Sequence, residues 1–142
     1  MNTAILAPAA VLVAWTLVVL FWTVFTRFPA FKKAGVDLAT APPGGRYPDV
    51  EGAMPPRVNW VAHNHNHLME QPTIFYPLVV ILAIAGVGGS AVTWAWAYVG
   101  LRICHSLWQI LVNTIPVRFG LFLLSTICLV VLACYALMAT LG

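Results

Sequence analysis

With 61% hydrophobic residues and only 8% charged ones along 142 positions, this chain is far more apolar than a soluble domain, in which about a quarter of residues are charged. The length allows one domain, and the net charge of +3 comes from Lys and Arg scattered over hydrophilic segments. That pattern excludes a nucleic-acid footprint and suits an anionic membrane surface. Cys104, Cys128 and Cys134 are odd in number, fall in apolar stretches and show no metal or redox spacing, so they read as small apolar helix residues.

The first apolar stretch, Leu6 to Phe28, carries no charge except Arg27. It predicts a span near residues 4–26, closed by Arg27 and then Phe28-Pro29. The uncharged Met1-Asn2-Thr3 before it and its length argue for a retained helix rather than a signal peptide. Lys32 to Pro56 follows as a long polar connection, broken by Pro42-Pro43-Gly44-Gly45 and Pro55-Pro56. A second span is expected near 57–86, polar in its first half, apolar in its second, with Pro72 and Pro77 tolerated inside it. Gly86, Gly88 and Gly89 make an uncharged turn into a third span near 90–110. The short link Asn113-Thr114-Ile115-Pro116 leads into a fourth near 117–138. The expected fold is all-α, an integral membrane four-helix bundle. Lys32, Lys33, Arg46 and Arg57 in the first loop, and Arg118 after the third, place those loops in the cytoplasm and both termini outside.

The few polar residues in these spans then count individually. His63, His67 and Glu70 are four and three residues apart and share one helical face, with Asn59 and Asn66 close to it. Trp94, Tyr98, Arg102, His105 and Gln109 form a polar stripe on the third helix. The topology brings these stripes and Arg118 to one level in the cytoplasmic half. Glu70 and Arg102 suit an interhelical ion pair. Trp94, Tyr98 and Trp108 also suit ordinary packing. His63, His67 and Glu70 could bind a transition metal, but His65 points elsewhere and no cysteine is near, so no metal is expected.

The segment His67-Leu68-Met69-Glu70-Gln71-Pro72-Thr73-Ile74-Phe75-Tyr76-Pro77, with Arg102-Ile103-Cys104-His105 and Pro116-Val117-Arg118, resembles the MAPEG family, the membrane-associated proteins in eicosanoid and glutathione metabolism. The likeness covers essentially the whole chain. It implies a homotrimer in membrane lipid, with glutathione as co-substrate bound between subunits toward the cytoplasm and a hydrophobic small-molecule substrate arriving from the bilayer. It implies transferase or peroxidase activity on hydrophobic electrophiles or lipid hydroperoxides. Arg118 matches the arginine that stabilises the thiolate, Glu70 the glutamate that helps hold glutathione, and Arg102 and His105 an arginine–histidine pair on the third helix. The asparagine three residues before the glutamate is His67 here, with Asn66 displaced by about 100°. The tyrosine a turn beyond the histidine is Gln109, for which Tyr98 offers partial compensation from another height. The Gln71-Pro72 pattern resembles a bacterial branch, implying a bacterial inner membrane. The rival readings are a non-catalytic membrane protein whose polar core serves assembly, and a small-ligand or metal-binding protein using His63, His67 and Glu70.

Overall fold

The computed structural model describes residues Met1–Gly142 and consists of helices and connections only. Helix α1 spans Leu6–Lys33, α2 Tyr47–Val50, α3 Pro56–Leu68, α4 Pro72–Ile84, α5 Ser90–Leu111 and α6 Ile115–Leu141. A 3-10 turn, Glu51–Ala53, joins α2 to α3. Three segments are long and apolar enough to cross a membrane: Leu6–Lys33, Pro56–Ile84 and Ile115–Leu141. Helix α5 has 22 residues, enough length for a crossing, but its polar stripe sets it apart. The molecule is an all-α, membrane-spanning bundle.

Its apolar core runs lengthwise. Ile5, which caps α1, and Leu12 and Val19 within it recur at seven-residue spacing, where every second turn returns to one face. They meet Val61 and Leu68 of α3, Phe75, Val79 and Leu82 of α4, Ala91, Ala95 and Val99 of α5, and Leu132 and Ala136 of α6. The alanines on α5 keep that helix close to its neighbours. Outside the core, Phe21, Phe25, Ile84, Phe119, Ile127 and Val130 are exposed. In a soluble protein such a surface would aggregate, whereas in a bilayer it faces acyl chains.

Two local departures from sequence expectation have physical causes. Helix α1 does not stop at Arg27; it continues through Pro29 to Lys33. Its last turn buries Ala30 and Phe31 in a satellite cluster with Met54, Tyr47, Val50 and Val58. Burying an aromatic side chain stabilises by roughly 1.5–3 kcal/mol, which offsets much of the proline penalty. The second polar–apolar segment is not one kinked helix but two, α3 and α4, separated by Met69-Glu70-Gln71. Pro72 has no N–H to donate, and the bonds around the break shorten to i→i−3: Glu70 N to His67 O at 3.2 Å and Thr73 N to Glu70 O at 3.2 Å.

Candidate functional site

The break places Glu70 in a turn rather than on a helical face, and this rearranges the expected ion pair. The Glu70 carboxylate does not meet Arg102; Oε2 accepts from His67 Nδ1 at 2.9 Å. Arg102 is fully buried on α5 and turns its guanidinium onto His67 instead. Its Nη1 lies 3.4 Å from His67 Nε2, and its Nη2 donates to the His67 carbonyl, also at 3.4 Å. Arginine is a donor only, so Nε2 is the acceptor and the imidazole proton sits on Nδ1, facing Glu70. His67 thus stands between the two charges. Arg102 Nε has no partner.

His105, one turn along α5, packs its ring against His67 with centroids 4.8 Å apart. It is buried, and its Nδ1 has no hydrogen-bond partner. Next on the stripe, Gln109 belongs to a continuous buried chain. Trp15 Nε1 of α1 donates to Ser106 Oγ at 2.9 Å, Ser106 Oγ donates to Asn64 Oδ1 at 2.5 Å, and Asn64 Nδ2 donates to Gln109 Oε1 at 2.9 Å. Three helices are tied by these bonds, and Asn64 and Ser106 are completely enclosed.

Arg118 completes the group from the start of α6. Trp108 Nε1 donates to Thr114 Oγ1 at 2.9 Å, while Asn113 takes a left-handed conformation with φ 61°, which asparagine tolerates better than most residues. That turn aims Asn113 Oδ1 at Arg118, whose Nη1 donates to it at 2.6 Å. A short link therefore fixes the guanidinium. His63, His67, His105, Gln109, Ile115, Arg118, Phe119 and Phe122 line a cavity of about 410 Å³. Arg118, His105, His67 and Gln109 are thus brought together, with Glu70 adjoining through His67.

Two anticipated residues lie elsewhere. Tyr98 is buried against Phe75, ring centroids 4.4 Å apart, and its hydroxyl donates to Gln71 Oε1 at 3.3 Å. Gln71 in turn donates to Thr126 Oγ1 at 2.9 Å. Tyr98 therefore braces the helix break and does not line the Arg118 cavity. Asn66 is exposed and borders a larger groove of about 810 Å³ between α1 and the first loop, with Arg27, Tyr47 and His65. There the Arg27 guanidinium stacks over the Tyr47 ring at 3.7 Å, and burial pushes the phenol pKa up against the lowering effect of Arg27. Tyr47 Oη donates to Asn59 Oδ1 at 2.5 Å, and Glu51 meets His63 at 2.5 Å, fastening the first loop to α3.

Sequence reasoning passed over Asn64, Ser106 and Trp15. The available signal was the core face of α3: Asn64 continues the spacing of Val61 and Leu68, so it is a polar residue inside an apolar stripe. No group of three or more His, Cys, Asp and Glu side chains is gathered as a metal site.

Nothing among curated proteins or among solved structures matches this chain. A family profile does, that of the MAPEG family, over residues 5–138. With nearly the full length matched, the chain belongs to the MAPEG family, a group broadly associated with glutathione-dependent lipid metabolism.

Proposed function

We propose that the protein is a glutathione-dependent transferase or peroxidase, acting within the membrane on hydrophobic electrophiles or lipid hydroperoxides as a homotrimer. The observation that carries this reading is Arg118, held by Asn113 at a cavity that also contains His105 with its unpartnered Nδ1. Glutathione offers two carboxylates, an amine and a sulfur. The cavity's cationic and polar lining fits the anionic groups, and Glu70, with one oxygen on His67, keeps the other for the amine. Glutathione would supply the nucleophilic or reducing sulfur.

Arg118 favours the thiolate over the thiol, because a fixed guanidinium lowers the free energy of an adjacent anion. Arg102 supplies positive potential from behind His67. Phe119 and Phe122 give the cavity an apolar wall, and Phe119 belongs to the exposed face of α6. An apolar partner dissolved in the bilayer reaches this wall laterally. We place the first and third loops in the cytoplasm and both termini outside, on the charge asymmetry of the loops. Labelling of cysteines introduced at positions 2 and 142 only from the cytoplasmic side would refute that orientation.

The functional test is glutathione binding by the purified, detergent-solubilised protein, followed by thiolate absorbance against pH. Wild type is expected to hold the bound thiol below its free value, near 8.5, and Arg118→Ala to return it there. Identical titrations would remove Arg118 from this role. The second reading, a non-catalytic membrane protein, is favoured by the continuous Trp15–Ser106–Asn64–Gln109 chain, which has the character of an assembly element. Absence of glutathione binding at millimolar concentration would support it.

A further inference from the structure

The larger groove, about 810 Å³ between α1 and the first loop, shares no lining residue with the Arg118 cavity. Its level in the bilayer follows from α1. Arg27 lies about 32 Å along the helix from its start at Leu6, at 1.5 Å per residue. A hydrocarbon layer is about 30 Å thick, so α1 brings Arg27 to the membrane boundary, with Lys32 and Lys33 of its last turn beyond it. From that level the groove runs inward. Arg27, Arg46 and Tyr47 lie at its surface end, and Val24 and Leu20 follow one and two turns deeper. Helix α3 descends beside them, Thr23 Oγ1 donating to the Val61 carbonyl at 3.5 Å. His65, a turn past Val61, therefore borders the inner end, together with Asn66.

The surface end is positive. Arg27 and Arg46 share the lining with one carboxylate, Asp49, whose Oδ2 already accepts from the Arg46 backbone N at 2.8 Å. The Arg27 guanidinium sits over the Tyr47 ring, and its Nε is buried without a partner. A guanidinium held by its face keeps its N–H edge for an anion. The wall below is apolar, and Phe21, Phe25 and Phe28, four and three residues apart, are exposed along the same helix. A soluble anion would use the arginines alone. An apolar wall continuing inward from them selects an amphiphile, with its charge at the boundary and its chain in the hydrocarbon.

We propose that this groove is a binding site for an anionic phospholipid of the adjoining leaflet, its phosphate between Arg27 and Arg46 and an acyl chain along Val24 and Leu20. Asn66 and His65 supply side-chain N–H groups below the arginines, suited to the ester carbonyls that follow a phosphate toward the chains. Bulk attraction between basic residues and an acidic leaflet is diffuse, whereas a walled groove holds one lipid. The site is independent of the glutathione reading, since it uses none of the same residues.

The test uses the full-length protein in a nonionic detergent, with native mass spectrometry following titration by phosphatidylglycerol or by phosphatidylcholine of the same chains. One phosphatidylglycerol per protomer is expected, bound about tenfold or more tighter than phosphatidylcholine. Arg46→Gln keeps the backbone cap on Asp49 and should weaken phosphatidylglycerol about fivefold, the contribution of one basic side chain at a membrane surface. Arg27→Gln should do at least as much. If the loss of its stacking on Tyr47 prevents folding, Val24→Trp takes its place, obstructing the chain while leaving both arginines. Equal affinity for the two lipids, or phosphatidylglycerol binding unchanged in Arg46→Gln and Val24→Trp, would overturn the proposal. Glycerol phosphate and glutathione, each at millimolar concentration, are expected not to displace the lipid. Displacement by either would assign the groove to a soluble anion and reject the phospholipid.

Discussion

Two polar regions lie side by side in this bundle and follow opposite rules. Along Ser106, Asn64 and Gln109, each link is a hydrogen bond between buried groups, and the half-buried Trp15 joins them at one end. One turn away, Arg102 and His105 are equally buried, yet Arg102 Nε and His105 Nδ1 have no partner. Buried polar groups without partners cost about 1–3 kcal/mol each, and cost more where a membrane removes alternatives. The first region behaves as framework. The second leaves two buried nitrogens unpaired, and its His105 lines the cavity shared with Arg118.

The sharpest way to break the comparison is to damage the framework. Asn64→Leu strands Ser106 and Gln109 together and is expected to cost about 3–5 kcal/mol, read as a large drop in melting temperature of the detergent-solubilised protein. Arg118→Ala should leave that melting temperature nearly unchanged. Near neutral pH, however, it should lower glutathione-dependent turnover roughly 10- to 100-fold, the loss of one charge-assisted contact. If the two variants exchanged these phenotypes, the division into framework and site would be wrong.

A smaller effect tests the intervening histidine. Because His67 separates Glu70 from Arg102, a double-mutant cycle on Glu70→Gln and Arg102→Gln should give a coupling energy of about 1 kcal/mol or less. A coupling of several kcal/mol would restore a direct ion pair. The smallest effect belongs to the loop fastening. Glu51 and His63 are partly exposed, with side-chain accessibilities of 30% and 46%, so Glu51→Gln is expected to change stability by less than about 1 kcal/mol and to matter less as salt rises.

The two regions were unequally visible in the sequence. Uncharged runs and proline–glycine punctuation were enough to locate the principal helices, since bilayer thickness and the loss of backbone donors act locally. Arg118 could be placed at a helix start because Pro116 marks one. The extension of α1 past Pro29 was not visible, because it depends on Phe31 meeting Met54 and Val58, residues more than twenty positions away. The Glu70–Arg102 pairing followed from helical spacing and failed because Pro72 interrupts that helix. Asn64 stood in a run of asparagines and histidines whose individual facing depends on what packs opposite, and only α5 supplied Ser106 and Gln109.

The break at Pro72 also bears on how the chain enters the membrane. Helix α4 has 13 residues, about 20 Å at 1.5 Å per residue, too short for a hydrocarbon layer of about 30 Å. The remaining depth must come from α3, which carries Asn59, Asn64, Asn66 and three histidines and partitions poorly into lipid by itself. The crossing therefore joins an apolar α4 to a polar α3 whose buried Asn64 is held by Ser106 and Gln109 of α5. The depth that α4 lacks is thus made up by a helix whose polar side chain is satisfied from across the bundle.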